Sequence, residues 1–284
     1  MAAKALVFGY GDIGVRSLAV LLEAGVEVPL IVTHRDDPAE KRLYASVAGF
    51  ARKKNLPFLE SPSDEQIEKE TLRIHPDLIF SFYYRSMLPM SVLRRARLGA
   101  YNMHGSLLPK FRGRAPLNWA IVKGETETGA TLHEMVEKPD AGRIVDQEAV
   151  PIGPDETAVE VFAKMVDAAE RVLRRSIKDL VSGKVKMRPN NLSQGSYYGR
   201  RTPEDGRIDW SRSAAEIHNL VRAVAPPFPG AFCDFQGSVL KVLRTQKEKR
   251  PFPEKPLGPF RVDGEWFAAC GDGKVLRLLE TEKS

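Results

Sequence analysis

Cysteine is nearly absent. Cys233 and Cys270 are the only two in 284 residues, and neither stands in a CxxC or His-paired spacing. A disulfide-built scaffold is therefore excluded, and two unrelated buried thiols are the simpler reading. The five histidines, His34, His75, His104, His133 and His218, are scattered and form no HExxH-type pair, so no protein-bound metal is expected. No stretch reaches the roughly 18 to 20 uninterrupted apolar residues that a membrane span needs. The N-terminal MAAKALVFGYGDIG runs from a short apolar segment into a glycine turn, which reads as a first strand and not as a signal peptide. A cytoplasmic protein without membrane insertion is expected.

What is present is ordinary for a globular chain, with 43% hydrophobic and 28% charged residues. The formal charge of +6 suits an anionic substrate and permits a tRNA partner, but it equally suits a basic surface with no specific partner. The length allows one large domain with a smaller companion.

Short β-rich runs alternate with helical patterns through the first two-thirds. Strands are predicted at 5–10, 29–34, 77–83 and 100–104, and Ile13, Leu18, Leu21 and Leu22 give residues 12–24 a helical spacing that Gly25 ends. This alternation predicts a Rossmann-like α/β fold, a mostly parallel sheet with helices on both faces. Pro154-Asp155-Glu156-Thr157 reads as a helix start, and Val159, Phe162, Val166, Ala169, Leu173, Ile177 and Leu180 follow down one side to Gly183. Residues 184–206 turn polar and rich in Gly and Pro. A helical stretch at 214–224 follows, then short runs at 231–235, 239–243, 266–270 and 275–279 separated by turn signals. These predict a small β-barrel-like domain. The expected division is a catalytic domain over 1–200 and a C-terminal OB-like β domain over 201–284.

Gly9-Tyr10-Gly11-Asp12-Ile13-Gly14 matches GxGxxG after a predicted strand, and Asp36 and Asp37 lie near the place where a ribose-binding acid would stand. The motif is short. Glycines serving a tight turn and close strand–helix packing explain it as well, and NAD is not expected.

Chemistry concentrates between Tyr101 and Ile152. Asn102 and His104, two apart on a predicted strand, project from the same face at the C-terminal end where open α/β sheets bind ligands. Gly105 and Gly113 bracket a loop carrying Lys110 and Arg112, with Arg114 just beyond it, and Asp140 sits in the turn Pro139-Asp140-Ala141-Gly142. Taken singly, each has a structural reading: a hydrogen-bonded strand end, a turn former, a solvated loop.

The whole string decides between these readings. Asn102-Met103-His104-Gly105-Ser106-Leu107-Leu108-Pro109-Lys110-Phe111-Arg112-Gly113, followed by Glu125-Thr126-Glu127-Thr128-Gly129 and Asp140-Ala141-Gly142, closely resembles the 10-formyltetrahydrofolate-dependent formyltransferases. Within that family the likeness is greatest to the part of a bifunctional polymyxin-resistance enzyme that formylates UDP-4-amino-4-deoxy-L-arabinose. It extends through Phe80–Arg85, Gly113–Trp119, Gly199–Asp205, Val221–Val224 and Pro229–Phe232. The resemblance implies transfer of a formyl group to a primary amine in lipid A modification, with methionyl-tRNA or another amino sugar as alternative acceptors. It implies Asn102, His104 and Asp140 as catalytic residues. The folate co-substrate is expected along Ser86, Met87, Leu88, Arg114 and Val136, Glu137, Lys138, Pro139 and Asp140. The nucleotide-sugar is expected near Tyr83, Tyr84, Arg200 and Arg201, where cations meet a diphosphate. No nucleic-acid partner is expected. The chain ends at Ser284, so the dehydrogenase of the bifunctional protein would be a separate partner.

Overall fold

The computed structural model describes residues 2–36 and 44–283. In chain order the elements are β1 (Lys4–Gly9), α1 (Gly11–Glu23), β2 (Glu27–Thr33), α2 (Val47–Lys53), β3 (Phe58–Glu60), α3 (Asp64–Ile74), β4 (Leu78–Phe82), α4 (Met90–Leu93) and β5 (Gly99–His104). There follow β6 (Arg112–Gly113), α5 (Pro116–Val122), β7 (Glu127–Glu134), β8 (Ile144–Pro151), α6 (Ala158–Ser182), β9 (Tyr197–Tyr198) and α7 (Ala214–Ala223). The chain closes with β10 (Ala231–Phe235), β11 (Ser238–Lys247), β12 (Gly258–Val262), β13 (Glu265–Ala269) and β14 (Val275–Lys283). Among the described residues no helix is long and apolar enough to cross a membrane.

Two compact units form. The first comprises Met1–Gly113, Gly129–Val150 and Lys164–Tyr197; the second comprises Arg114–Thr128, Pro151–Ala163 and Tyr198–Ser284. The chain thus enters the second unit for good at residue 198, but α5 and residues 151–163 already belong to it.

A seven-stranded sheet, ordered β3-β2-β1-β4-β5-β7-β8, forms the first unit. Strands β1 to β5 pair in parallel, and β7 runs antiparallel to β5. On β1, residues Ala5 to Phe8 are all buried, so both faces of the sheet are covered, as the continuous apolar run requires. One face packs Leu6, Phe8, Leu30, Val32 and Ile79 against Ile67 and Ile74 of α3 and Val92 and Leu93 of α4. Ser63 and Gln66 close a capping box at the start of α3, an arrangement that contributes about 1 kcal/mol. The strand order reverses between β1 and β4, and the C-terminal ends there form the crevice where this architecture binds ligands.

The second unit holds a five-stranded antiparallel sheet, β10-β11-β14-β13-β12. Helix α7, opened by a Ser213–Glu216 capping box, carries the buried His218, which contacts Thr245 Oγ1 at 2.8 Å and the Pro154 carbonyl at 3.0 Å.

The glycines of the first turn are occupied by packing. A Cβ at Gly14 would stand 2.9 Å from Val47 Cγ2 and 3.2 Å from the Gly9 carbonyl carbon, and Tyr44 lies against Gly11, whose φ is +61°. Asp36 accepts the hydroxyl of Ser46, which in turn caps α2; Asp37 lies outside the described residues. Gly14→Ala should therefore lower stability by about 1–3 kcal/mol through overpacking. The double variant with Val47→Ala should lose less than the sum of the two singles. Thermal denaturation of the four proteins checks this, and strict additivity would show that the Gly14–Val47 contact is not what fixes the glycine.

Candidate active site

Strands β5 and β7 and one turn build the site. In the β5–β7 pair Asn102 stands opposite His133, and His104 opposite Thr131. Directly opposed residues share a face, so Asn102, His104 and His133 all face the same side of the sheet. The loop after His104 is tied back to β7 and β8. Thr131 Oγ1 donates to the Ser106 carbonyl (2.6 Å) and accepts from Leu108 N–H (3.2 Å) and Gln147 Nε2 (2.8 Å). Gln147 also donates to the Leu108 carbonyl (2.8 Å), and Ser106 Oγ donates to the Lys110 carbonyl (2.6 Å).

The turn that carries Asp140 is held from both sides. Asp140 has a left-handed backbone, φ 51°, a conformation that aspartate adopts more readily than most non-glycine residues. Gly113 N–H donates to its Oδ2 at 2.9 Å and Asn190 Nδ2 donates to its carbonyl at 3.0 Å. Next to it, a Cβ at Gly142 would run into the Glu134 carbonyl. Asp140 Oδ1 thereby comes to 3.5 Å from both His104 Nδ1 and His133 Nε2. Opposite, His104 Nε2 lies 2.9 Å from the Phe111 carbonyl. A carbonyl only accepts, so this nitrogen carries the proton and Nδ1 is the one free to exchange. An ionised acid, a buried imidazole and a side-chain amide at one strand end can polarise a carbonyl and move a proton beside it, the requirements of acyl transfer.

Residues 4–177 match the model of the formyl transferase family, and residues 200–284 match that of its C-terminal domain. The chain belongs to this family. Solved structures agree on the fold. An N-formyltransferase from Helicobacter canadensis, bound to folinic acid and dTDP-3-aminofucose, superposes with a TM-score of 0.78 at 19% identity, over 99% of this chain and 100% of that one. The sugar 3-N-formyltransferase WlaRD, solved with dTDP and 5-N-formyl-THF, gives 0.77 at 20% identity over 100% and 98%. HypX from Aquifex aeolicus, in complex with tetrahydrofolic acid, gives 0.68 at 19% over 98% of this chain and 44% of its own.

Two opposed effects set the electrostatics of the site in this formyltransferase. Burial pushes the imidazole below its ordinary value, and the Asp140 charge and the Phe111 carbonyl oppose this without overcoming it. For Asp140, burial works to raise the carboxyl, but His104, His133 and the Gly113 N–H outweigh it and hold it well below the usual carboxylate range. The resting site therefore pairs an ionised Asp140 with a neutral His104, ready to accept a proton.

The other expected residues fall into three groups. Ser86 and Met87 are exposed on the loop after β4, Met87 at 63%, beside the half-buried Leu88, and Val136 to Pro139 lead into the Asp140 turn. Tyr83, at φ 60°, directs its hydroxyl to 3.7 Å from Met165 Sδ, and a Cβ at Gly105 would collide with it. Tyr83 therefore packs behind the His104 strand end. Tyr84 stacks on His34 at 4.2 Å and meets Phe8 edge-on, with Arg85 over the Tyr10 ring and its N–H on His34 Nε2. Arg114, Arg200 and Arg201 belong to the second unit. Arg114 and Arg200 are exposed there. Arg201 lies over the Trp119 ring at 4.6 Å and donates to the Asp205 carbonyl.

Sequence reasoning missed His133. Its only signal was the strand register, which no local spacing reveals.

Removing the Asp140 charge should take away the larger of the two influences that raise the His104 pKa, leaving only the Phe111 carbonyl. Where His104 acts as the base, its neutral form is the competent one and is lost as pH falls through its pKa. Asp140→Asn should then move the acid limb of the pH–kcat/KM profile to lower pH, besides lowering the rate. An unmoved limb in steady-state assays across pH would exclude the coupling.

Proposed function

We propose that the chain transfers the formyl group of 10-formyltetrahydrofolate to the 4-amino group of UDP-4-amino-4-deoxy-L-arabinose, a step of lipid A modification that confers polymyxin resistance. The observation that carries the reaction is the convergence of Asn102, His104 and Asp140 on one strand end. The choice of acceptor is supported by the motif likeness at Phe80–Arg85 and Gly199–Asp205, and by the amino-sugar nucleotide bound to the Helicobacter enzyme.

Asn102 holds an amide N–H for the oxyanion that develops when the amine attacks the formyl carbon. Such a donor accounts for about 10²- to 10³-fold in rate. His104 takes the proton of the attacking amine on Nδ1 and returns it to the folate nitrogen as the old C–N bond breaks, a contribution of about 10²- to 10⁴-fold. Asp140 is already ionised and stabilises the imidazolium in between. The exposed Met87 and the half-buried Val136 offer apolar surface to a flat heteroaromatic ring, and the folate side accordingly falls to residues 86–88 and 136–140. Arg114 is the further folate candidate and Arg200 and Arg201 are the phosphate candidates, all three in the second unit. Tyr84 is the aromatic candidate for the acceptor side. In this reading residues 1–200 form the catalytic domain and 201–284 an OB-like companion.

Asn102→Ala and His104→Ala should each lower kcat by at least about 10²-fold with thermal stability retained. An assay with 10-formyltetrahydrofolate, offering UDP-4-amino-4-deoxy-L-arabinose, a dTDP-amino sugar and methionyl-tRNA in parallel, should show turnover on the first. Turnover confined to the tRNA or to the dTDP-sugar would overturn the acceptor and keep the chemistry.

A further inference from the structure

His133 lies at the centre of the site although the chemistry above does not require it. It is 1% exposed. Its Nδ1 is 2.9 Å from the Glu134 carbonyl, its Nε2 is 3.1 Å from Asn102 Nδ2, and the same Nε2 is 3.5 Å from Asp140 Oδ1. The titratable groups that face it are Asp140, from the turn, and His104, from β5, whose ring centroid is 6.3 Å away.

The contacts fix the proton inventory. A carbonyl can only accept, so Nδ1 of His133 bears the hydrogen and Nε2 of the neutral ring is a bare acceptor. Asn102 must then present its NH₂ edge to that nitrogen. The reverse amide orientation would set its oxygen lone pairs against another lone pair in a buried site, where an unmade hydrogen bond is costly. The parallel argument at His104, whose Nε2–H is given to the Phe111 carbonyl, leaves Nδ1 bare as well. With both rings in the neutral form, one oxygen of Asp140 faces two bare imidazole nitrogens, and a proton delivered to this group has two places to go. On His104 it disturbs nothing. On His133 it would confront the Asn102 N–H with another N–H and force the amide to turn over, which removes the oxyanion donor.

We infer that His133 is a positioning residue: it locks the Asn102 amide with an N–H toward the reacting carbonyl, and the Asn102 N–H on its Nε2 steers the shared proton to His104. The assignment rests on the formyl-transfer reading, in which Asn102 is the oxyanion donor. It extends that reading by making the orientation of Asn102, and not only its presence, the quantity the site controls.

The test has two arms. In the first, ¹⁵N NMR of the histidine-labelled protein at neutral pH reads the ring tautomers without any substrate. The expected result is hydrogen on Nδ1 of His133 and on Nε2 of His104; hydrogen on Nε2 of neutral His133 would overturn the proposal even if turnover is found. The second arm is kinetic. His133→Phe keeps a buried ring but offers Asn102 no acceptor, and it should lower kcat by about 10²-fold, the size of losing one oxyanion donor, with KM for both substrates changed less than about threefold. His133→Gln restores an acceptor oxygen that cannot be protonated near neutrality, and it should recover kcat to within about tenfold of the parent. Equal loss in both variants, or full turnover in His133→Phe, would overturn the positioning role. A parent protein inactive on every acceptor would instead count against the formyl-transfer reading, and the NMR arm would still decide the tautomers.

Discussion

The antiparallel register between β5 and β7 is the constraint from which the site follows. Shift it by one residue and the alternation of a strand turns every side chain to the other face. In the register observed, Asn102 meets His133, His104 stands over Thr131, and the turn leaving β7 carries Asp140 back across both imidazoles. The rest of the first unit can be understood as support for that register. The Gly129–Gly142 span has no room for side chains at its two glycines, since a Cβ at either would strike a backbone carbonyl. Beyond it, the ion pairs of Arg171 and Arg175 with Glu148 and Asp146 fasten α6 along β8.

Charge is distributed around this register in an asymmetric way. Burial disfavours the protonated form of His104, and the carboxylate beside it resists that effect only in part. The family resemblance puts Asp140 and His104 in one catalytic set, and an acid beside an imidazole by itself favours the imidazolium. The folded protein holds the pair dry enough that the acid alone is charged. Desolvation, which depends on the packing of distant parts of the chain, decides the sign, and no local motif encodes it.

Much of the fold was legible in the chain. The runs at β1, β2, β4 and β5 have the dense apolar texture of strands buried on both faces, and the 3.6-residue spacing of α1 and α6 is plain. Strand β7 was harder to read, because Thr128, Thr131 and His133 are buried polar residues. Polar residues at these buried positions erase the alternation by which a half-buried strand is recognised. Helix α3, with only Ile67, Thr71 and Ile74 buried among charged neighbours, presents a stripe too thin to stand out. The motif string itself, from Asn102 to Gly113, was conspicuous, yet the hydrogen-bond partner of its first residue lies 31 positions away on β7. The GxGxxG turn shows the opposite case. A pattern that stands out by eye is accounted for by Val47 and Tyr44 filling the space above it.

The loop from Gly105 to Gly113 has a consequence for the energetics of the reaction coordinate. Its carbonyls and amides are already engaged by Thr131, Gln147, Ser106 and Ser196. Its dipoles therefore have little freedom to rotate when charge appears beside them. In water, solvent must reorient around a nascent oxyanion and imidazolium, and that reorganisation is a large part of the barrier. Here the orientation of the loop's polar groups is settled when the polypeptide folds, so in the proposed reaction less of that reorientation would fall within the chemical step.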